Sequence, residues 1–186
     1  MRNLKFIIIS LLIAYACKGK DNESERLANQ PYSEGTPTQV IQHDGMEVGI
    51  YDFENFKPFL QRDNDSIYVV NFWATWCKPC IKELPEIEQI GQEYKDRKLK
   101  VVLASLDFPD KISPQLIPFA KKMNLQSRIL VLDEADPNAW IPQVDSTWSG
   151  AVPATLVYSG SKRVFHNGPV TYEELQKSID QLLTSN

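Results

Sequence analysis

The chain has 186 residues, of which 42% are hydrophobic and 24% are charged. This composition is typical of a globular protein with a buried core, and the length suffices for one ordinary domain plus an additional segment. The formal net charge is −4. Because nucleic-acid-binding domains usually carry a basic excess, the sequence predicts no nucleic-acid partner.

Residues 1–16 have the features of a secretory signal peptide. Arg2 and Lys5 form a positive start, and an apolar run from Phe6 to Ala16 follows. These eleven residues are too few for a helix that spans a bilayer, but they fit the apolar region of a signal. We expect the segment to carry the rest of the chain across a membrane, into a compartment where disulfides persist.

Cys17 directly follows this segment, and small residues stand at positions 14 and 16. The segment resembles the signal of bacterial lipoproteins, in which this cysteine becomes the first residue and carries lipid. Leucine is usual in that pattern where this chain has Ala14. Three outcomes are open: lipidation of Cys17, ordinary cleavage near Ala16, and retention of a short anchor. We expect lipidation, which makes the protein a membrane-anchored lipoprotein of the cell envelope with its domain in the periplasm or extracytoplasmic space.

Residues 17–43 are predicted to form a flexible polar tether, and residues 44–186 the folded domain. The tether segment is polar and has few large apolar residues, so it cannot bury enough surface to fold alone.

Segments typical of strands and helices alternate along the predicted domain. Runs rich in β-branched and aromatic residues predict six strands, at 46–53, 66–74, 100–106, 128–133, 154–159 and 163–168. The sixth strand is predicted to form a hairpin with the fifth. Between them lie helical patterns, one of which begins with Ser113 as N-cap and Pro114 as first helical residue. A capping box of Thr171 and Glu174 starts the last helix. The alternation indicates an α/β fold.

Cys77 and Cys80 stand where the run 66–74 ends and a helical pattern begins. The N-terminus of a helix carries partial positive charge and free N–H groups, which stabilise a thiolate. The C-x-x-C spacing allows the two sulfurs to bond. Pro79 suits a first helical turn, and Lys78 adds a positive charge nearby.

Three interpretations of this pair are open: a redox couple, half of a zinc site, and two inert buried thiols. Zinc needs four ligands, and outside the pair the chain offers only Cys17, His43 and His166. A C-x-x-C pair at a strand-to-helix junction favours the redox couple.

The stretch VVNFWATWCKPCIKELP, residues 69–85, resembles the active-site segment of thioredoxin-like proteins, and most closely the TlpA/ResA-type membrane-tethered thiol-disulfide oxidoreductases. This resemblance implies a thioredoxin-like α/β fold, with a central mixed β-sheet flanked by helices and an insertion between strands, within residues 107–150. It also implies that Cys77 attacks a protein disulfide and Cys80 resolves the mixed disulfide. An upstream redox partner protein would restore the dithiol, and no cofactor or metal is expected.

The stretch WSGAVPATLVY, residues 148–158, resembles the segment of the same family that holds a cis-proline, here Pro153. The resemblance implies that Pro153 lies beside the cysteines and that the backbone of Val152 pairs with an extended substrate segment. Trp76 and Pro79 complete the expected substrate-binding residues. For Trp148 we expect a loop anchor or core residue, with a place in the substrate groove as the alternative.

Many thioredoxins have a buried acid where this chain has Asn71, which cannot take up a proton. Glu83 matches an acid found in the TlpA/ResA type, so we expect it to act as the proton acceptor for Cys80. The alternative is an exposed glutamate in the first helical turn. Glu86 and Glu88 are expected to face outward.

Two other functions compete with protein-disulfide reduction. The first is a thiol-based copper metallochaperone on the same fold, which would want a third ligand near the cysteines. The second is a peroxidase, whose P-x-x-x-T-x-x-C pattern is missing before Cys77. The direction of disulfide exchange cannot be derived from sequence, and we favour reduction.

Overall fold

The structure is a computed structural model that describes residues 35–184. The predicted signal segment, Cys17 and the first part of the predicted tether lie outside the described residues.

Within residues 35–184, seven strands form one mixed sheet. They are β1 (Gln39–His43), β2 (Met46–Tyr51), β3 (Ile67–Trp73), β4 (Leu99–Ser105), β5 (Arg128–Leu132), β6 (Ala154–Ser159) and β7 (Lys162–Asn167). Their spatial order is β1-β2-β5-β4-β3-β6-β7. Strands β2, β5, β4 and β3 are parallel, whereas β1, β6 and β7 pair antiparallel with their neighbours. The predicted mixed sheet and the β6–β7 hairpin are therefore confirmed.

Five α-helices cover the described part of the sheet. They are α1 (Phe53–Phe56), α2 (Lys78–Glu93), α3 (Ile117–Lys122), α4 (Pro137–Val144) and α5 (Tyr172–Thr184). The predicted capping box precedes α5: the Thr171 N–H donates to Glu174 Oε2 at 2.9 Å, and the Glu174 N–H donates to Thr171 Oγ1 at 3.3 Å. The range 107–150 contains α3, β5 and α4, which lie between β4 and β6.

The strand β3 is buried along its whole length, as its continuous apolar run predicted. Because successive side chains of a strand point to opposite faces, β3 contributes to two separate cores. Val69 and Trp73 face a cluster formed with α2, α3 and α5. Val70 and Phe72 face an aromatic-rich cluster formed with α1 and α4.

The sheet begins earlier than the sequence predicted, because β1 lies within the range 17–43 assigned to the tether. Its side chains are exposed or half-buried, so it has no apolar alternation that could reveal a strand. The sequence did contain a hairpin signal, Asp44-Gly45. Both residues have positive φ, 50° and 74°, and they join His43 to Met46 as a two-residue turn.

The helix predicted to start at Ser113 begins differently. Ile112–Leu116 forms a π-helical turn, in which the Ile117 N–H donates to the Ile112 carbonyl, and only then does α3 begin. Pro118 explains the wide turn, because it has no N–H to donate and would clash with a carbonyl of a regular preceding turn. As the second residue of α3 it needs no donor.

Candidate active site

The two cysteines are joined by a disulfide at the junction of β3 and α2. Their sulfurs are 2.00 Å apart, and Cys77 is the N-cap of α2, with its Sγ accepting the Cys80 N–H at 3.2 Å. Cys77 is 5% exposed and Cys80 is fully buried. Of the two cysteines, only Cys77 keeps any exposed surface in the disulfide form, so a reacting partner approaches from its side.

A tight turn delivers Cys77 from the strand to the helix. The Cys77 N–H donates to the Ala74 carbonyl at 3.1 Å, so Thr75 and Trp76 occupy the centre of the turn. Trp76 projects into solvent and is 59% exposed. Pro79, in the first turn of α2, is also exposed.

The loop before β6 lies against the reactive sulfur. The Val152–Pro153 peptide bond is cis, as the resemblance implied. The Val152 carbonyl oxygen is 3.7 Å from Cys77 Sγ, and Pro153 is buried. Cys77, Val152 and Pro153 are therefore brought together, while Trp76 and Pro79 are close to Cys77 along the chain, in the turn and in α2.

Trp148 anchors this loop from the aromatic core. It is buried, its ring centroid is 4.7 Å from that of Phe72, and its indole N–H donates to the Ala151 carbonyl at 2.8 Å. It is a core residue and loop anchor, as predicted, and it fixes the residue just before Val152.

Glu83, three residues after Cys80 in α2, is buried rather than exposed at the start of the helix. Its Oε1 accepts from Asn71 Nδ2 at 2.8 Å and its Oε2 accepts from the Val170 N–H at 2.8 Å. Burial raises the pKa of Glu83 to about 7, although these two hydrogen bonds act in the opposite direction. The exposed-glutamate alternative is therefore wrong.

Asn71 can serve both protonation states of Glu83. Its Nδ2 also donates to Thr155 Oγ1 at 2.9 Å, while its buried Oδ1 has no hydrogen-bond partner among the described residues. Both Glu83 oxygens face N–H donors, which suits the carboxylate. A proton on Oε1 would find an acceptor once the Asn71 amide turned over, because Oδ1 would then face it.

A second buried carboxylate, Asp107, holds the turn before Cys77 in place. Asp107 Oδ2 accepts the Thr75 N–H at 3.0 Å, and Oδ1 accepts the Thr75 hydroxyl at 2.6 Å. The Ser105 hydroxyl also donates to Oδ2, at 2.8 Å. Sequence reasoning missed this residue. The signal lay in the pairing of two parallel strands, since residues just beyond the ends of β3 and β4 must meet.

Glu86 and Glu88 do not face outward freely, contrary to expectation. The Glu86 carboxylate accepts the Tyr172 N–H at the start of α5. The Glu88 carboxylate accepts the N–H groups of Gln126 and Ser127, at 3.1 and 3.0 Å. Both glutamates join α2 to neighbouring segments.

No group of three or more His, Cys, Asp or Glu side chains in the described range is arranged to hold a metal ion. His43 and His166 lie in β1 and β7, which are opposite edges of the sheet. No observation supports the zinc or the copper-chaperone interpretation.

The profile of the AhpC/TSA family matches residues 49–164, which is more than half of the chain. The chain belongs to the AhpC/TSA family. The thioredoxin-like protein YneN of Bacillus subtilis is 32% identical over 126 residues, covering 67% of this chain and 69% of YneN. The thiol-disulfide oxidoreductase ResA of Geobacillus kaustophilus is 28% identical over 116 residues, covering 61% of each chain.

Solved structures share the fold of this AhpC/TSA family member. A thioredoxin-related protein from Neisseria meningitidis aligns with a TM-score of 0.56 and 26% identity, over 66% of this chain and 88% of that one. A DsbF homologue from Corynebacterium diphtheriae aligns with a TM-score of 0.55 and 24% identity, over 81% and 90%. The thioredoxin-like fold is confirmed. With its C-x-x-C disulfide, the chain is a thiol-disulfide oxidoreductase.

Proposed function

We propose that this protein reduces disulfides of substrate proteins in a bacterial cell envelope, with Cys77 as the attacking residue and Cys80 as the resolving one. The observation that carries this assignment is the asymmetry of the pair. Cys77 keeps a small exposed surface, caps the positive end of α2 and has its Sγ beside the Val152 carbonyl, whereas Cys80 is fully buried.

In the first step, the Cys77 thiolate of the reduced protein attacks one sulfur of a substrate disulfide. A bond forms between Cys77 and that sulfur, and the other substrate sulfur leaves as a thiolate. The free N–H groups at the start of α2, of which that of Cys80 already points at Cys77 Sγ, stabilise the attacking thiolate.

In the second step, Cys80 loses its proton and attacks Cys77 Sγ. The substrate's second sulfur leaves as a thiolate, and two electrons have passed from this protein to the substrate. Glu83 accepts the Cys80 proton: it lies at i+3 on the same helix and is shielded from bulk water, and its pKa of about 7 suits a general base at neutral pH. An upstream redox partner protein then reduces the disulfide again.

An extended segment of the substrate pairs with the Val152 backbone beside Pro153, in the manner of strand addition. Trp76 and Pro79 contact the same segment from the turn and from α2. Of these four residues, Val152 has its carbonyl oxygen 3.7 Å from Cys77 Sγ, and Trp76 directly precedes Cys77 in the chain.

For localisation, we propose a lipid anchor at Cys17 followed by a polar tether that ends where β1 begins. The feature in support is the sequence of residues 1–17, an apolar run that ends in Ala16 and Cys17. In residues 35–184, no helix has the length and apolar character needed to cross a membrane. Labelling with palmitate in the wild type, and its loss in Cys17→Ala, would test the anchor. An unlabelled, normally processed wild-type protein would favour ordinary cleavage.

The test of the reaction compares residues 18–186 with Cys77→Ser and Cys80→Ser variants, using a disulfide-containing protein as substrate and dithiothreitol as donor. We expect Cys77→Ser to abolish reduction and Cys80→Ser to accumulate mixed disulfides with the substrate. Full activity of Cys77→Ser would contradict the mechanism. Consumption of peroxide at a rate above that of disulfide reduction would favour a peroxidase instead.

A further inference from the structure

Two exposed aromatic side chains stand at the edge of the sheet that carries the disulfide. Trp76 is 59% exposed and Phe108 is 66% exposed. The other exposed large hydrophobic residues in the described range are Val40 in β1 and Leu183 in α5, which are 42% and 43% exposed. Phe108 has no part in the chemistry proposed above, so its exposure is unexplained.

The register of the sheet brings the backbone segments that carry Trp76 and Phe108 to the same end of two neighbouring strands. Strands β3 and β4 are parallel, and Trp73 pairs with Ser105 at their ends. Trp76 and Phe108 each follow three residues later. The two chains stay joined beyond the strands, because the Leu106 N–H donates to the Trp73 carbonyl at 2.8 Å.

The backbone that presents Phe108 is fixed on both sides. Asp107, immediately before it, accepts two hydrogen bonds from Thr75. Pro109, immediately after it, restricts Phe108 to extended conformations. The φ and ψ of Phe108 are −65° and 147°. An exposed ring on a fixed backbone can bind an apolar group at a lower entropic cost, because its loop does not have to become ordered on binding.

We propose that Trp76 and Phe108 together form an apolar clamp for a large apolar side chain of the substrate protein, within two residues of its reacting cysteine. This proposal rests on the function proposed above and specifies its substrate class. It makes Phe108 a specificity-determining residue rather than a catalytic one.

The position of the clamp favours this occupant over a lipid surface or a second copy of the chain. A group bound against Trp76 lies beside the residue that directly precedes Cys77, whose Sγ is 3.7 Å from the Val152 carbonyl oxygen. A lipid or an identical subunit held there would block the sulfur. A segment that carries its own disulfide into the clamp brings the reacting atoms together.

The experiment uses the reduced protein, residues 18–186, as sole reductant in single-turnover reactions with three disulfides. Two are symmetric dimers of a short peptide with one cysteine, carrying either leucine or serine at the four positions within two residues of it. The third is hydroxyethyl disulfide, which has no flanking residues. Phe108→Ala is compared with Leu183→Ala, which removes a similarly exposed apolar side chain far from the disulfide in sequence.

We expect the wild type and Leu183→Ala to reduce the leucine peptide about 10-fold faster than the serine peptide, which corresponds to about 1.4 kcal/mol. In Phe108→Ala this preference should fall to about twofold or less. Rates with the serine peptide and with hydroxyethyl disulfide should not change, which shows that the site itself is intact.

A leucine preference that survives in Phe108→Ala would overturn the clamp, as would an equal loss with all three disulfides. A wild type that reduces hydroxyethyl disulfide without preferring leucine would also overturn it, while leaving the proposed reaction in place. A protein that reduces none of the three contradicts the reaction itself. Dimers in sedimentation that Phe108→Ala dissociates would assign the rings to self-association instead.

Discussion

Two buried carboxylates are attached to the segment that carries the disulfide, Asp107 through its bonds to Thr75 and Glu83 as part of α2, and their surroundings differ. Asp107 accepts three hydrogen bonds from Thr75 and Ser105, at the loop edge of the sheet. Glu83 accepts two, from Asn71 and Val170, within the cluster that α2 and α5 form. Burial raises the pKa of Glu83 to about 7.

The same functional group therefore suits two different roles in one site. A carboxylate that accepts the hydrogen bonds of a turn fixes the position of that turn, which is a structural role. A carboxyl group whose pKa is raised by burial to near neutral pH can exchange a proton at that pH. We therefore propose that Asp107 positions Cys77 and that Glu83 takes the proton of Cys80.

The largest expected effect is on the rate of the second step. Glu83→Gln should slow resolution of the mixed disulfide by Cys80 by about 10²- to 10³-fold, because the general base is lost. It should also lower the pKa of the Cys77 thiol, because a negative charge near the thiolate is removed. Stopped-flow measurement of the second step and thiol alkylation against pH would check both. Glu173→Gln is the control, since Glu173 is exposed in the first turn of α5.

The same contrast predicts a pH dependence of stability. Glu83 is ionised in the unfolded chain above its ordinary pKa of 4.5 but stays protonated in the folded chain up to about 7. The unfolded state therefore binds fewer protons in this window, and stability falls as pH rises from 4.5 to 7. The loss is on the order of 3 kcal/mol.

Urea unfolding of the disulfide form at pH 5 and pH 8, in wild type and Glu83→Gln, would measure this loss. His166 titrates in the opposite sense, because burial lowers its pKa, but it contributes equally to both proteins and cancels in the difference. An identical change of stability with pH in both proteins would show that Glu83 ionises normally in the folded chain.

A smaller effect is expected when Asp107 is changed. In Asp107→Asn an amide NH₂ would face a donor of Thr75 or Ser105, and the free energy of unfolding should fall by about 2 kcal/mol. The pH at which the second step changes should stay where it is. Asp110→Asn, at an exposed ion pair with Lys111, should change stability by less than about 0.5 kcal/mol. Comparable losses in the two variants would argue against an anchoring role.

The smallest effect is expected for Thr75→Val, which removes the hydroxyl donor of residue 75 but keeps the hydrogen bond from its backbone N–H to Asp107. The free energy of unfolding should fall by about 1 kcal/mol, measured in urea. A loss as large as that of Asp107→Asn would mean that the hydroxyl alone holds the turn.

The parts of the molecule that sequence could predict are those whose signal is local. The buried run of β3, the C-x-x-C pair at a helix start and the capping box of α5 each lie within one short segment. The strand β1 was missed because it buries neither face and so shows no alternation.

The parts that sequence could not predict depend on contacts between distant segments. From the sequence, Glu83 has the pattern of an ordinary acid in a first helical turn. Its buried site depends on a distant segment, in which Val170, 87 residues later, donates its N–H to the carboxylate. Asp107 gains its role from Thr75, 32 residues earlier. Both required the order and register of the strands, which no single segment specifies.

The most direct test of the division between the two carboxylates is the rate of the Cys80 step as a function of pH. It is measured in single-turnover reactions of the wild type, Glu83→Gln and Asp107→Asn. We predict that the rate rises through a pKa near 7 in the wild type and in Asp107→Asn, and that this rise is absent in Glu83→Gln. A rise near pH 7 that persists in Glu83→Gln would contradict the assignment of Glu83 as the proton acceptor.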